Sequence, residues 1–292
     1  MWSCGRCALL ATEPAGASRV ARFLFAPTDA RVVGVLRILL AAMLAWAFWS
    51  LGLRLNWPWR PVPGMEALYA RVFLTPWYAA LVLGMLALFG VGVRPRVTGL
   101  ILVVMLLPLA FLSRGQQSRQ VLLFALLAFS MLRSDGQLSL RAWRSGITSP
   151  TAGPMWPIRL MQLQLSLVYF VNAVAKSTPA YASGEVLVGM ARMRPNIHVD
   201  LADGYLRLGA IALPVGLAAV SSIVIEYFLA LGFWIPRLRY LTAAVGVGFH
   251  LLLMWMMTIF MLDIASMFLY LVFLLPLAAP QRAHVPEVAL SR

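Results

Sequence analysis

The feature that most limits what this chain can fold into is a series of apolar runs separated by short polar gaps. Eight can be marked, over 32–53, 78–93, 97–112, 121–132, 158–175, 208–235, 241–261 and 264–279. A helix needs ~20 residues to cross the hydrocarbon layer of a bilayer. Inside lipid every backbone N–H and C=O must find its partner within the protein, which leaves helices or a closed barrel. The runs lack the two-residue alternation of barrel strands, so they predict helices. Composition agrees, since 62% of the 292 residues are hydrophobic and 12% charged, against ~25% charged in soluble domains. The expected fold is all-α, a polytopic transmembrane helical bundle of about eight spans, with about six to nine compatible with the run lengths. The third and fourth runs are short and are expected to tilt or to be partly re-entrant. The last two are parted only by Leu262 and Asp263.

The expected domain order is an N-terminal tail (1–30), a transmembrane domain (31–280) and a C-terminal tail (281–292). The 17–25 stretch, with Arg19 and Arg22, is expected to lie on the membrane surface as an interfacial helix. Residues 1–16 have no sustained apolar core and do not read as a signal peptide. Two long connections, 54–77 and 177–207, hold Pro, Gly and charged residues and are expected to be loops.

The formal net charge is +14, which could suggest a nucleic-acid partner. The arginines instead punctuate the gaps between apolar runs, as juxtamembrane charge does. No nucleic acid is expected; the bilayer is the expected partner. With eight spans, about 14 arginines fall on the N-terminal side and about 9 basic residues on the other, which puts both termini in the cytoplasm of a multi-pass cell-membrane protein. Trp57, Trp59, Trp77, Tyr78 and Trp156 sit at run ends, where amphipathic rings favour the headgroup level. Cys4 and Cys7 form a CxxC with no second ligand pair, and His198 and His284 lack metal-site spacing with His250, so no metal is expected. Inverted repeats, which would mark a transporter, are absent.

The fifth run, RLMQLQLSLVYFVNAVAK from Arg159, carries a polar row. At ~100° per residue and with Gln162 at zero, Ser166 falls near about +40°, Tyr169 near about −20°, Asn172 near about −80°, Lys176 near about −40° and Arg159 near about +60°. Gln164 falls on the other side. Unpaired polar groups in hydrocarbon cost several kcal/mol each, so this row faces the bundle interior or a wet cavity. It reads either as helix–helix hydrogen bonding or as the wall of a substrate cavity. Lys176 is the only lysine among 24 basic residues. A lysine at a helix end can simply snorkel to the interface. Yet this chain uses arginine wherever a plain positive charge suffices. Arginine does not give up its proton in a protein, whereas a lysine desolvated among apolar groups can, and it can then act as a base.

Other ionisable residues fall within the runs. His250 is a candidate proton relay or helix–helix bond. Arg37 and Glu226 are a candidate ion pair, and Asp263 marks the last break.

These residues carry a family resemblance. Gln162-Leu163-Gln164, Tyr169, Asn172-Ala173, Ala175-Lys176, Tyr181 and Gly184-Glu185 resemble the pattern "rLlQlQl…Yf.aglaK…W..G". Arg37 to Leu40, Gly136 to Leu140, Glu226-Tyr227, Arg237, Arg239 and Gly248-Phe249-His250 fit as well. Over about 20–280 the chain is similar to the HTTM family, the membrane module shared with vitamin K-dependent gamma-carboxylase. The resemblance implies an all-helical membrane bundle. It implies a carboxylase-like enzyme of the carbon–carbon lyase type, in which Lys176 is the base that deprotonates a vitamin K-like hydroquinone and His250 is a second catalytic residue. Gln162, Tyr169, Asn172 and Glu226 are the expected substrate-binding residues, a reduced quinone is the expected cofactor, and a lipophilic small molecule and a peptide or protein are expected substrates. Where the carboxylase has an Asn-His pair this chain reads RGQQSR over 114–119, and the carboxylase's large non-membrane domain is expected to be missing. The related deprotonation of a quinone-like molecule therefore transfers better than glutamate carboxylation. The other reading is a non-catalytic membrane partner, or maturation factor, for a secreted peptide.

Overall fold

A computed structural model describes residues 18–53, 71, 75–111, 117–146, 148–193, 201, 203–208, 211–256 and 260–275. Cys4, Cys7, Trp57, Trp59, Gln116, His198, His284, residues 1–17 and residues 276–292 lie outside the described residues. The described chain is mostly helical, with twelve helices and two small two-stranded sheets.

Each of the eight apolar runs contains a helix: α2 (Ala30–Leu53), α3 (Pro76–Gly90), α4 (Pro95–Phe111), α5 (Gln117–Ser130), α7 (Trp156–Lys176), α10 (Val215–Gly232), α11 (Arg239–Met256) and α12 (Phe260–Leu274). Four of them, α2, α7, α10 and α11, are long and apolar enough to cross a membrane; the other four are shorter apolar helices. Their outward faces are apolar. Leu163, Leu167, Phe170, Val171 and Val174 stand exposed along α7, as do Leu217, Val224 and Leu231 along α10. In water that surface would aggregate; in lipid it is matched to its solvent. This is the outside of a membrane protein.

The short elements sit at the helix ends. Helix α1 (Arg19–Phe25) forms over the stretch expected to be interfacial, capped by the Ser18 hydroxyl. Its Phe23 ring lies under the Arg159 guanidinium, 3.9 Å from the ring centre. Strand β1 (Pro27–Asp29) pairs antiparallel with β2 (Thr151–Pro154), and the Asp29 carboxylate then accepts the first N–H groups of α2, from Arg31 and Val32. Helix α6 (Leu140–Ser145) is capped by Ser139 and closed by Gly146 in the left-handed region at φ 66°.

The expected helical fold holds in that the described chain is mostly helical, with two small sheets in connections where the backbone leaves the helices. Three expectations are corrected. The run expected to span 208–235 does not begin as a helix. Strands β3 (Tyr205–Leu208) and β4 (Ile211–Pro214) form a hairpin, and α10 starts only after Pro214, whose fixed ring suits a helix boundary. The 177–207 connection is no open loop; it holds α8 (Pro179–Ala182) and α9 (Glu185–Met193). Asp263 marks no break: it lies in the first turn of α12, where the helix dipole favours an acid.

Two apolar clusters result. The larger joins α2–α5, α7 and α10–α12. A smaller one gathers Leu187 and Val188 of α9, Leu206 of the hairpin, Val215 and Met256.

Candidate functional site

The site is built on the antiparallel pair α7 and α10, and on the way α7 ends. At the top of the pair the Trp234 indole N–H donates to Ser166 Oγ at 2.7 Å. Three turns further along α7, Lys176 Nζ donates to Glu226 Oε1, also at 2.7 Å. Here α7 stops. The Ser177 hydroxyl turns back to the Ala173 carbonyl at 2.7 Å, and Thr178 caps a new short helix whose first residue is Pro179. The chain nevertheless continues beside α10, with Tyr181 Oη 3.3 Å from Ser222 Oγ. Gly184, at φ 86°, packs so closely that an added Cβ would lie 2.7 Å from Val215. Helix α7 therefore breaks alongside α10, not beyond its end. Lys176 faces Glu226, the twelfth of the eighteen residues from Val215 to Gly232. The cation also sits on the negative end of the α7 dipole.

The Lys176 side chain is 30% exposed and that of Glu226 only 5%. Glu226 Oε2 is enclosed and has no hydrogen-bond partner among the described residues. The Lys176 amine stands 5.6 Å above the Tyr181 ring, within cation–π range, and the Phe170 and Tyr227 rings meet edge to face at 5.9 Å on the same helix pair. Asn172, between Tyr169 and Lys176 on α7, is half-buried, and its side chain makes no hydrogen bond among the described residues.

A second network lies deeper. His250 Nδ1 is 2.7 Å from Asp263 Oδ1, and His250 Nε2 is 2.6 Å from Tyr169 Oη. Tyr169 Oη is in turn 2.5 Å from Tyr270 Oη. All four side chains are buried. The His250 chain pairs buried polar groups across α7, α11 and α12, while Asp263 Oδ2 is enclosed without a partner among the described residues.

The structure thus brings Lys176 to Glu226 and Tyr169 to His250. Gln162 is elsewhere. Its amide donates to the Val272 carbonyl and its oxygen accepts from Arg159, each at 2.8 Å, bracing α7 against α12. The Arg37–Glu226 pairing is corrected. Glu226 is held by Lys176, while the Arg37 guanidinium is buried among the carbonyls of Gly90, Ser134 and Leu138. A fork of five donors fits converging carbonyls better than one acid. Tyr270 and Ser266 were missed. With Asp263 they form an i, i+3, i+7 polar row on an otherwise apolar helix, the signal that singled out α7.

An apolar exterior around paired ionisable groups defines a membrane protein with a polar interior built on a broken helix. The chain belongs to the HTTM domain family, whose pattern matches residues 25–276. Among curated proteins and solved structures nothing matches it significantly.

Proposed function

We propose that the protein is a multi-pass membrane enzyme that takes a proton from a lipophilic, quinone-like substrate, with Lys176 as base. The carrying observation is the Lys176–Glu226 pair, set at a helix break partway along α10, with one carboxylate oxygen left unpartnered. A base that turns over must pass its proton on, and Glu226 is the acceptor already in contact. Asn172, with a free amide one turn from Lys176, orients the substrate's oxygen. Tyr169 and Gln162 hold the helix that carries both. A vitamin K-like hydroquinone suits a site flanked by Phe170, Tyr181 and Tyr227.

The same reading takes all eight apolar helices as spans, alternating in direction. That alternation gathers Arg31, Arg94, Arg133, Arg141, Arg144 and Arg237 at one end, which by the positive-inside rule is cytoplasmic together with both termini. Lys176 then opens toward the opposite half of the bilayer.

A second reading rests on the same pair. Ser166–Trp234, Lys176–Glu226 and Tyr181–Ser222 form successive rungs between α7 and its continuation and α10. The ion pair is then a clamp, and the protein a non-catalytic membrane partner of a secreted peptide. Lys176→Arg separates the two, because arginine keeps the clamp and cannot take up a proton. The measurement is turnover of a reduced naphthoquinone by proteoliposomes under oxygen, followed by mass spectrometry. The enzyme reading expects turnover by wild type and loss of at least about 100-fold in the variant, the usual weight of a general base. Equal turnover removes Lys176 as base. Naphthoquinone co-purifying with the protein would support the enzyme reading independently.

A further inference from the structure

The His250 chain has a direction that follows from donor and acceptor counting. An ionised carboxylate only accepts, so with Asp263 ionised the hydrogen between Asp263 and His250 belongs to Nδ1. In a neutral ring Nε2 then has no hydrogen and accepts from the Tyr169 hydroxyl at 2.6 Å. Tyr169 has spent its only hydrogen, so at 2.5 Å it accepts from Tyr270.

We propose that Asp263 and Tyr270 are positioning residues that fix His250 as its Nδ1–H tautomer and aim the Tyr169 O–H at Nε2, making the four groups a proton-holding unit. Asp263 holds the ring in one tautomer, as an orienting acid does behind a histidine base, and Tyr270 fixes the direction of the Tyr169 hydroxyl.

The packing is specific to this arrangement. A Cβ added at Gly246 would lie 2.5 Å from Tyr270 Oη and 2.7 Å from two ring carbons. Nothing larger than glycine on α11 leaves the phenol where it meets Tyr169. The unit does not depend on Lys176 being a base, and its test needs no substrate.

The experiment is 15N NMR of the full chain in lipid, with ring-labelled histidine and with His250 assigned by His250→Gln. Wild type is expected to show one hydrogen on Nδ1 and a hydrogen-bonded, hydrogen-free Nε2. Asp263→Asn supplies an amide donor to Nδ1 and is expected to move the hydrogen to Nε2. Tyr270→Phe is expected to keep the tautomer while changing the Nε2 hydrogen-bond shift. A wild-type ring with hydrogen on Nε2, neutral or cationic, overturns the proposal without any variant. An unchanged tautomer in folded Asp263→Asn also overturns it, leaving Asp263 as a brace between α11 and α12.

Discussion

Arg37 offers a direct test of how the bundle tolerates a buried charge. Its side chain is fully enclosed. The guanidinium donates to Gly90 O from Nε at 3.3 Å and from Nη2 at 3.2 Å, to Leu138 O from Nη2 at 2.5 Å, and to Ser134 O from Nη1. Three carbonyls at the end of α3 and in the turn before α6 thus depend on one side chain from α2. Arg37→Met keeps the stem and removes the fork. Each carbonyl left without a donor costs ~1–3 kcal/mol. The variant regains the cost of burying a cation, so the net loss is nearer the ~3–5 kcal/mol seen when a buried charged partner is removed. Arg37→Lys reaches fewer carbonyls and is expected to lose about half of that. Arg144→Gln, on the surface, is the control and should stay within ~0.5 kcal/mol. Equilibrium unfolding in mixed micelles gives all three values. Arg37→Met no less stable than Arg144→Gln would refute the claim that this cation organises the carbonyls around it.

The remaining predictions concern orientation, coupling and close packing. With Cys4 and Cys7 replaced by serine, a cysteine at Glu185 is expected to react with membrane-impermeant maleimide in intact cells and one at Arg144 only after lysis; the reverse pattern inverts the proposed topology. The 2.7 Å contact between Lys176 and Glu226 predicts a non-additive Lys176→Met and Glu226→Gln cycle, with a coupling of ~0.5 kcal/mol or more in unfolding free energy; additivity within ~0.3 kcal/mol would mean that the pair does not form. Gly184→Ala adds left-handed strain of ~1 kcal/mol to overpacking of ~1–3 kcal/mol against Val215, so a loss of about 2–4 kcal/mol is expected by thermal unfolding. A neutral result would mean that α8 and α9 are not seated on α10.

Much of this architecture was legible because lipid enforces a simple code. Each apolar run contains a helix, and the polar row of α7 turned inward, with Gln162, Ser166 and Tyr169 buried. The sequence could not show that 205–214 would fold as a hairpin, since a short apolar run does not distinguish strand from helix. Partner choice was also hidden. Arg37 and Glu226 are opposite charges in apolar runs, and only their three-dimensional neighbours reveal that one serves carbonyls and the other a lysine. The resemblance did hold a clue: Arg37 and the Gly136 to Leu140 stretch both matched the family, and in the structure Arg37 donates to Leu138 O. Tyr270 escaped notice because a lone tyrosine in an aromatic-rich helix looks like packing until its i−7 neighbour is seen to be Asp263.

Exposure decides how the two polar networks divide the work. Side-chain exposure falls from 30% at Lys176 to 5% at Glu226, then to 4% at His250 and 3% at Asp263. Lys176 is thus the most open of these four groups, and His250 and Asp263 are enclosed. Glu226 touches Lys176, and its second oxygen is enclosed without a partner among the described residues. A plain clamp would gain nothing by leaving a buried carboxylate oxygen unpaired, because that oxygen carries a desolvation cost that a neighbouring hydroxyl could remove. In the proposed enzyme that oxygen is where a proton taken up by Lys176 would rest, and in the clamp it is a cost that Asp263 Oδ2, also enclosed without a partner among the described residues, shares.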